Sequence, residues 1–210
     1  MLDAIARLRR FNRAVTREVG ALETSYLGRG RPLGAARVLQ LVRAEGTDIA
    51  DIRQRLDLDS GLLSRLLRSL EAESLLVVET DPADRRRRIA RTTAAGQVEQ
   101  QAYEALGYAK ATQTLARAGA RQQAVIAAMD LIATVMLQDQ VELRDADPDS
   151  PAALACLQVY YDLLAEKIAG VTPDMLTLPL SDAAKYRPPN GAFLIAWSDD
   201  LPVGCASLHP

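Results

Sequence analysis

The sequence has few of the residues that most enzyme and metal sites require. Its single histidine is His209, next to the last residue, and its two cysteines, Cys156 and Cys205, lie in the last third of the chain. A histidine-rich metal site is therefore excluded, and so is Ser–His or Cys–His catalysis in the first 150 residues. Two cysteines do not form a disulfide framework, and we expect both to be small, buried apolar residues. No catalytic and no metal-binding residue is predicted.

Long apolar runs are also absent. Nothing approaches the ~18 continuous apolar residues of a membrane helix. The charged start, MLDAIARLRR, lacks the apolar core of a signal peptide. Almost half of the 210 residues are apolar and a quarter are charged, which is typical of a folded, soluble protein. We therefore expect a cytoplasmic protein that does not bind membranes.

Lysine is missing from the first 91 residues, although this part of the chain is basic. Residues 1–91 contain 18 arginines and 13 acidic residues, a net charge of +5, whereas residues 92–210 carry a net charge of −7. The planar guanidinium group contacts phosphates and base edges better than an ammonium group does. The pattern therefore indicates nucleic-acid binding, although arginines can also simply solvate the surfaces of helices.

The spacing of apolar residues predicts mainly helices, with one change of period. Helices are predicted over 2–26, 33–44, 48–56, 60–73, 94–118, 121–141 and 152–169, strands over 75–80 and 89–93, and a β-hairpin over 192–197 and 203–208. Thr47, either Asp59 or Ser60, and Thr93 are the expected N-caps of the third, fourth and fifth helices. Two short helices joined by a tight turn are the helix-turn-helix pattern. The acidic, proline-containing residues 142–151 are the best linker candidate.

Two segments are more specific than this general pattern. Residues 58–71 read LDSGLLSRLLRSLE, and residues 81–88 read DPADRRRR and lead into TTAAG at 92–96. They are similar to the recognition helix and the wing of the MarR family, which the chain resembles over residues 3–141, although Ser74 stands where that family usually has glycine. The resemblance implies a mainly α fold: a winged helix-turn-helix with dimerisation helices, followed by a partial α+β segment.

By this resemblance, the helix at 60–73 enters the major groove of double-stranded DNA, which displays a distinct donor and acceptor pattern for each base pair. The residues expected at this surface are Ser60, Gly61, Ser64, Arg65 and Arg68. The first two are small enough to allow close approach. Arg65 contacts a guanine edge or a phosphate, and Arg68 a phosphate. The alternative is that both arginines are only solvated.

The wing, residues 81–91, is expected to contact the minor groove, where narrow A·T tracts strengthen the negative potential. The residues expected to take part are Asp84, Arg85, Arg86, Arg87 and Arg88. The resemblance implies that Asp84 holds the hairpin by pairing with an arginine and that Arg86 contacts DNA at the tip. The alternative is an exposed run of charge in a surface loop.

A single module of this size does not bind DNA tightly and specifically by itself, so we expect a homodimer that reads a pseudo-palindromic operator. The first helix and the helices within 94–141 would supply the apolar interface, although their apolar stripes could instead pack within one chain. The resemblance also implies a repressor that responds to a small-molecule effector, which no residue identifies. A third interpretation is an interaction protein whose helix-turn-helix no longer binds DNA, and the wing arginines argue against it.

Beyond the linker, residues 156–164 read CLQVYYDLL, residues 188–197 read PPNGAFLIAW, and residues 201–208 read LPVGCASL. These stretches resemble the opening helix and first strands of a GNAT acetyltransferase domain. The Gly-rich turn that binds the acetyl-CoA pyrophosphate in that family is absent from 192–210. We therefore expect no enzyme activity and no cofactor, with acetyl-CoA relevant only if a longer native chain completes the domain.

The expected domains are a DNA-binding and dimerisation domain at 1–145, a linker at 146–152 and the partial GNAT-like segment at 153–210. The alternative function is a fragment of a bifunctional regulator and N-acetyltransferase.

Overall fold

The computed structural model describes residues 3–172 and 177–209, and the chain divides into two compact units, residues 1–117 and 118–210. The helices are α1 (Ala4–Val19), α2 (Leu33–Leu41), α3 (Ile49–Arg55), α4 (Ser60–Ala72), α5 (Ala94–Ala116), α6 (Gln122–Met136) and α7 (Pro151–Lys167). The strands are β1 (Thr47–Asp48), β2 (Leu76–Thr80), β3 (Arg88–Thr92), β4 (Glu142–Asp145), β5 (Ala192–Ser198) and β6 (Leu201–Leu208). This order confirms the predicted fold class, a mainly α chain with a winged helix-turn-helix and a later α+β segment. None of the described helices is both long and apolar enough to span a bilayer.

The core of the first unit lies where α2, α3 and α4 meet a small antiparallel sheet with the order β1-β3-β2. The most deeply buried side chains of this core are Val38, Leu39, Ile52, Leu70, Leu76 and Tyr103. Burial of each large aliphatic side chain contributes about 1.5–3 kcal/mol. Strand β3 lies in the middle of the sheet, with Leu76 opposite Thr92 and Thr80 opposite Arg88. This pairing makes β2 and β3 a two-stranded wing next to the helix-turn-helix.

The turn after α4 requires a left-handed residue, and Ser74 supplies it with φ of +58°. The Ser74 N–H donates to the Glu71 carbonyl at 2.8 Å, and the Leu75 N–H donates to the Leu70 carbonyl at 3.0 Å. These are the two bonds of a Schellman cap, and a non-glycine residue in this conformation costs about 1 kcal/mol. The geometry explains why glycine is usual here in the family that the sequence resembles. Ser74 keeps the cap but bears the strain.

The start of α5 packs closely against the same turn. Thr93 caps this helix as predicted, and its hydroxyl accepts a hydrogen bond from the Gly96 N–H at 3.0 Å. A Cβ atom on Gly96 would collide with the carbonyl oxygen of Leu75. Composition alone predicts that Gly96 is a local weakness of the helix. The structure shows the reason for it, because only glycine leaves room for this close approach.

Two local predictions about the helix ends need correction, and one choice that the sequence left open is decided. Helix α1 ends at Val19 rather than at residue 26, because Gly20 adopts φ of +75° and closes the helix, while the predicted start at residue 2 lies outside the described residues. Asp48 rather than Thr47 caps α3, because the Asp48 carboxylate accepts the Ala50 N–H. Of the two candidates for the α4 cap, the structure selects Asp59.

In the second unit, α7 packs on a three-stranded antiparallel sheet with the order β4-β5-β6. Residues 142–151, predicted as a linker, contain strand β4, whose four residues are all exposed and show no apolar alternation. The Arg187 guanidinium orders the following residues by donating to Asp147 at 2.7 Å and to Asp149 at 2.5 Å. The predicted two-stranded hairpin is therefore part of a larger sheet covered by a helix, an arrangement that can be stable where a lone hairpin is marginal.

Candidate nucleic-acid interface

Helix α4 separates its apolar residues cleanly from its polar ones. Leu63, Leu67 and Leu70 face the core and are at most 4% exposed. The contact residues predicted for this helix are all exposed to solvent: Ser60, Gly61, Ser64, Arg65 and Arg68. Because Asp59 caps the helix by accepting the Leu62 N–H at 2.9 Å, the Ser60 hydroxyl is not used as the cap. The helix therefore presents one continuous polar face to solvent.

The two arginines on this face have different environments. The Arg65 guanidinium lies beside Gly61, with Nη1 3.6 Å from the place where a Cβ atom of residue 61 would stand. The Nε of Arg68 instead donates to the Ser64 carbonyl at 3.2 Å, so this side chain folds back along the helix. Among the described residues, neither arginine pairs with a carboxylate. Both guanidinium charges are therefore available to an external anion.

The wing loop between β2 and β3 is folded by two aspartates. Asp81 accepts the Ala83 N–H at 2.8 Å, and Asp84 accepts the Arg86 N–H at 3.0 Å, so each forms an Asx turn. The Asp81 N–H donates to the Arg87 carbonyl at 3.0 Å and closes the base of the loop. Short-range bonds to backbone groups thus determine the shape of the wing tip.

The predicted pairing of Asp84 with an arginine side chain is wrong. Asp84 bonds to a backbone N–H, and it forms no ion pair in the part of the chain that the structure describes. Within the loop of the wing, the arginine that forms an ion pair is Arg87, whose Nε donates to Asp48 at 2.6 Å. Asp48 also accepts the Ala50 N–H at 2.8 Å, and this bond, followed by the one from Arg87, lowers the pKa of the Asp48 carboxyl. One carboxylate therefore joins the wing to the start of α3.

Three neighbouring wing arginines are exposed and pair with no carboxylate in residues 3–172 or 177–209: Arg85, Arg86 and Arg88. Together with Arg65 and Arg68, they give α4 and the wing five exposed guanidinium groups that no described carboxylate neutralises. Clustered arginine charge of this kind on one module is the electrostatic footprint expected for phosphate binding.

A partly buried ionic network, which sequence reasoning missed, connects α5 with the end of α4. Glu99 on α5 is 6% exposed and accepts from Arg29 Nε at 2.9 Å and from Arg31 Nη1 at 2.7 Å. These two arginines, Arg29 first, hold the pKa of Glu99 at about 2. Arg31 also donates to Glu73, next to the end of α4, at 2.6 Å and to the Tyr103 hydroxyl at 3.2 Å. Arg31 thus positions the end of α4 against α5.

The element order, the wing and the exposed polar face of α4 define a winged-helix module. Comparison with known proteins places its fold more closely. Residues 29–87 match the family model described as MarR family. A transcriptional regulator (MarR family) from Rhodococcus sp. RHA1 has a similar structure, with a TM-score of 0.54 and 20% identity over 66% of this chain and 98% of that chain.

Two further solved structures have the same fold. The PcaV transcriptional regulator from Streptomyces coelicolor has a TM-score of 0.51 and 22% identity, covering 66% of this chain and 98% of its own. The S. aureus MepR–DNA complex has a TM-score of 0.51 and 17% identity, covering 66% of this chain and 99% of its own. No curated protein matches the sequence. These likenesses show that the chain has the winged-helix fold of MarR-type regulators.

Proposed function

We propose that the protein is a MarR-type transcriptional regulator that binds double-stranded DNA. The observation that carries the proposal is a set of exposed arginines that pair with no carboxylate among the described residues, three in the wing and two on α4. Their number and position suit contact with two adjacent grooves, because a major groove admits a helix and a wing can reach the neighbouring minor groove. The match of residues 29–87 to the MarR family model supports the same function.

Each predicted contact residue has a proposed role in this complex. On α4, Ser60 and Gly61 allow the helix start to approach the bases, and Ser64 and Arg65 contact base edges. Arg68, folded back along the helix, contacts a phosphate.

Of the five predicted wing residues, the three exposed arginines that pair with no described carboxylate contact DNA, and the remaining two have structural roles. Arg85, Arg86 and Arg88 bind in or beside the minor groove. Asp84 folds the loop, and Arg87 anchors it to Asp48. The sequence alone suggests that all four arginines at 85–88 contact DNA, whereas this assignment gives Arg87 a structural role.

We further propose a homodimer that reads a pseudo-palindromic operator. Neither α1 nor α6 contains a buried residue, although both are amphipathic or apolar. The exposed apolar side chains include Ile5, Leu8 and Val15 on α1, Val98 and Tyr108 on α5, and Met129, Leu131 and Val135 on α6. Apolar surface on several long helices is typical of an interaction site. Two modules on a two-fold axis would supply the contacts that one small module lacks.

The finer aspects of the proposal follow the family resemblance. The protein acts in the cytoplasm as a repressor, and a small-molecule effector of unknown identity controls it. It works by binding, without a catalytic residue, a metal ion or a cofactor.

The alternative function, part of a bifunctional regulator and N-acetyltransferase, is favoured by one observation: α7 packs on a sheet that includes the predicted hairpin. Isothermal titration with acetyl-CoA tests it, and a saturable heat signal would favour it over the binding function alone.

The main experiment is fluorescence anisotropy of the full chain with labelled DNA tiles from the region upstream of its own gene. Random DNA of equal length is the control, and both are titrated across a salt series. We expect tight binding to particular tiles with a steep decrease of affinity as salt rises, because phosphate contacts release counterions. Equal, weak binding to all tiles would contradict a sequence-specific regulator.

A further inference from the structure

The two cysteines of the chain lie on opposite sides of one groove in the second unit. The groove runs between α7 and β6 and has a volume of about 660 Å³. Cys156 belongs to α7 and Cys205 to β6, and both thiols line the groove. Its apolar walls include Leu157, Val159, Tyr160, Leu163, Phe193 and Val203. Residues 49 positions apart in the sequence are thus brought to the same groove by the packing of a helix on a sheet.

The thiols are partly accessible and interact with each other. Both side chains are half-buried, so a small oxidant can reach them from the groove. Burial raises the pKa of Cys156, and a hydrogen bond from Cys205 acts in the opposite direction. Burial also raises the pKa of Cys205, and the neighbouring Cys156 raises it further. Cys205 is the donor and Cys156 the acceptor of this hydrogen bond, so the bond shifts the two pKa values in opposite directions.

We propose that Cys156 and Cys205 are a redox modification site that forms a reversible intrachain disulfide with a peroxide as the oxidant. The Sγ thiolate of Cys156 attacks one oxygen of hydrogen peroxide, the O–O bond breaks, and a sulfenic acid forms while the other oxygen leaves as water after protonation. The Cys205 thiolate then attacks the Cys156 Sγ and displaces the hydroxyl group, which takes up a proton and leaves as water. Two thiols and one peroxide give one disulfide and two waters, and a dithiol reductant reverses the change.

The position of the pair gives the bond a defined structural effect. Strand β6 pairs with β5 on one side, and within the described residues it has no strand neighbour on the other. A bond from Cys205 to Cys156 would attach this edge strand covalently to α7 across the groove. The oxidised form should therefore resist unfolding of the second unit more than the reduced form does, because the bond closes a long loop in the unfolded chain.

The test uses the reduced full chain treated with hydrogen peroxide, followed by denaturing thiol titration, intact mass and non-reducing electrophoresis. Cys156→Ser and Cys205→Ser variants are treated in parallel, and circular dichroism checks that each is folded. In the wild type, we expect the free thiols to fall from two to none. The mass should decrease by two hydrogen atoms, the band should stay monomeric, and dithiothreitol should restore both thiols. The Cys205→Ser variant should instead accumulate a sulfenic acid that dimedone traps.

Two results would overturn the proposal. One is retention of both wild-type thiols under conditions that fully oxidise free cysteine. The other is loss of the thiols only through intermolecular dimers or through sulfinic acids, without the intrachain peptide cross-link on mass mapping. If a serine variant fails to fold, the wild-type cross-link map alone still decides between these outcomes.

Discussion

The adjacent arginines of the wing offer a sharp test of the proposed DNA contacts, because the structure gives Arg86 and Arg87 different roles. Arg86 is exposed and has no carboxylate partner among the described residues, whereas the Nε of Arg87 donates to Asp48 at 2.6 Å. The two side chains are chemically identical and neighbours in sequence. Substituting each by alanine therefore changes the net charge equally and separates a DNA contact from a structural ion pair.

The expected magnitudes follow from these environments. Each phosphate contact contributes about 0.9 to the slope of log affinity against log salt, so Arg86→Ala in both protomers of a dimer should lower that slope by about 1.8. Its stability should stay within about 0.5 kcal/mol of the wild type, since an exposed side chain without a partner is removed. Arg87→Ala should leave the slope nearly unchanged. It should lower the free energy of unfolding measurably, because the ion pair between the exposed Arg87 and the mostly buried Asp48 is lost.

The assay is anisotropy with the best-binding tile from 50 to 200 mM salt, combined with urea unfolding of both variants. If Arg87→Ala reduces the slope as much as Arg86→Ala does, the Asp48 pair does not withhold this charge from DNA and the division of roles fails. If Arg86→Ala leaves the slope unchanged, the wing tip does not contact phosphates. Both outcomes are independent of the operator sequence, since the salt slope does not depend on base contacts.

Three further predictions concern the residues that hold α4 against α5, and urea unfolding measures the stability change in each case. Ser74→Gly should raise the free energy of unfolding by about 1 kcal/mol by relieving the left-handed strain. The control Ser69→Gly, within α4, should lower it by a similar amount. Stability changes of the same sign in both variants would refute the cap geometry. Gly96→Ala should cost about 3 kcal/mol because its Cβ meets a backbone carbonyl, whereas Gly107→Ala, in open space on the same helix, should gain about 1 kcal/mol. Glu99, with its pKa held at about 2 from an ordinary 4.5, should contribute roughly 3 kcal/mol above pH 4.5 that is lost as the pH falls towards 2; an unchanged acid profile in Glu99→Gln would contradict this.

Periodicity and local signals were sufficient to predict α4, the two strands of the wing and the cap of α5. The boundaries of α4 and of the wing strands lie within one or two residues of the prediction, because Leu63, Leu67 and Leu70 mark one helical face and the strand period is distinct. The cap at Thr93 was also predictable, since a threonine before a helical run is a local signal. Which residues touch DNA stays a prediction.

Features that depend on distant residues could not be read from the sequence. The Asp48–Arg87 pair joins residues 39 apart, and Glu99 meets Arg29 across 70 residues. Strand β4 was missed because its residues are polar and exposed, so that only its backbone pairing with β5 reveals it. Gly20 ends α1 even though the apolar spacing continues beyond it, because a left-handed residue overrides side-chain periodicity.

Arg31 has a consequence for the spacing between operator half-sites that the protein can bind. Its guanidinium is shared between Glu99 on α5 and Glu73 beside the last turn of α4, so the reading helix is pinned at its far end to the longest helix of the unit. In the proposed dimer, α5 would therefore fix the distance between the two α4 helices. The dimer would then bind weakly to operators with an inserted or deleted base pair between their half-sites. Removing the ion pairs of Arg31 would let the position of α4 vary and widen the range of half-site spacings that the protein binds.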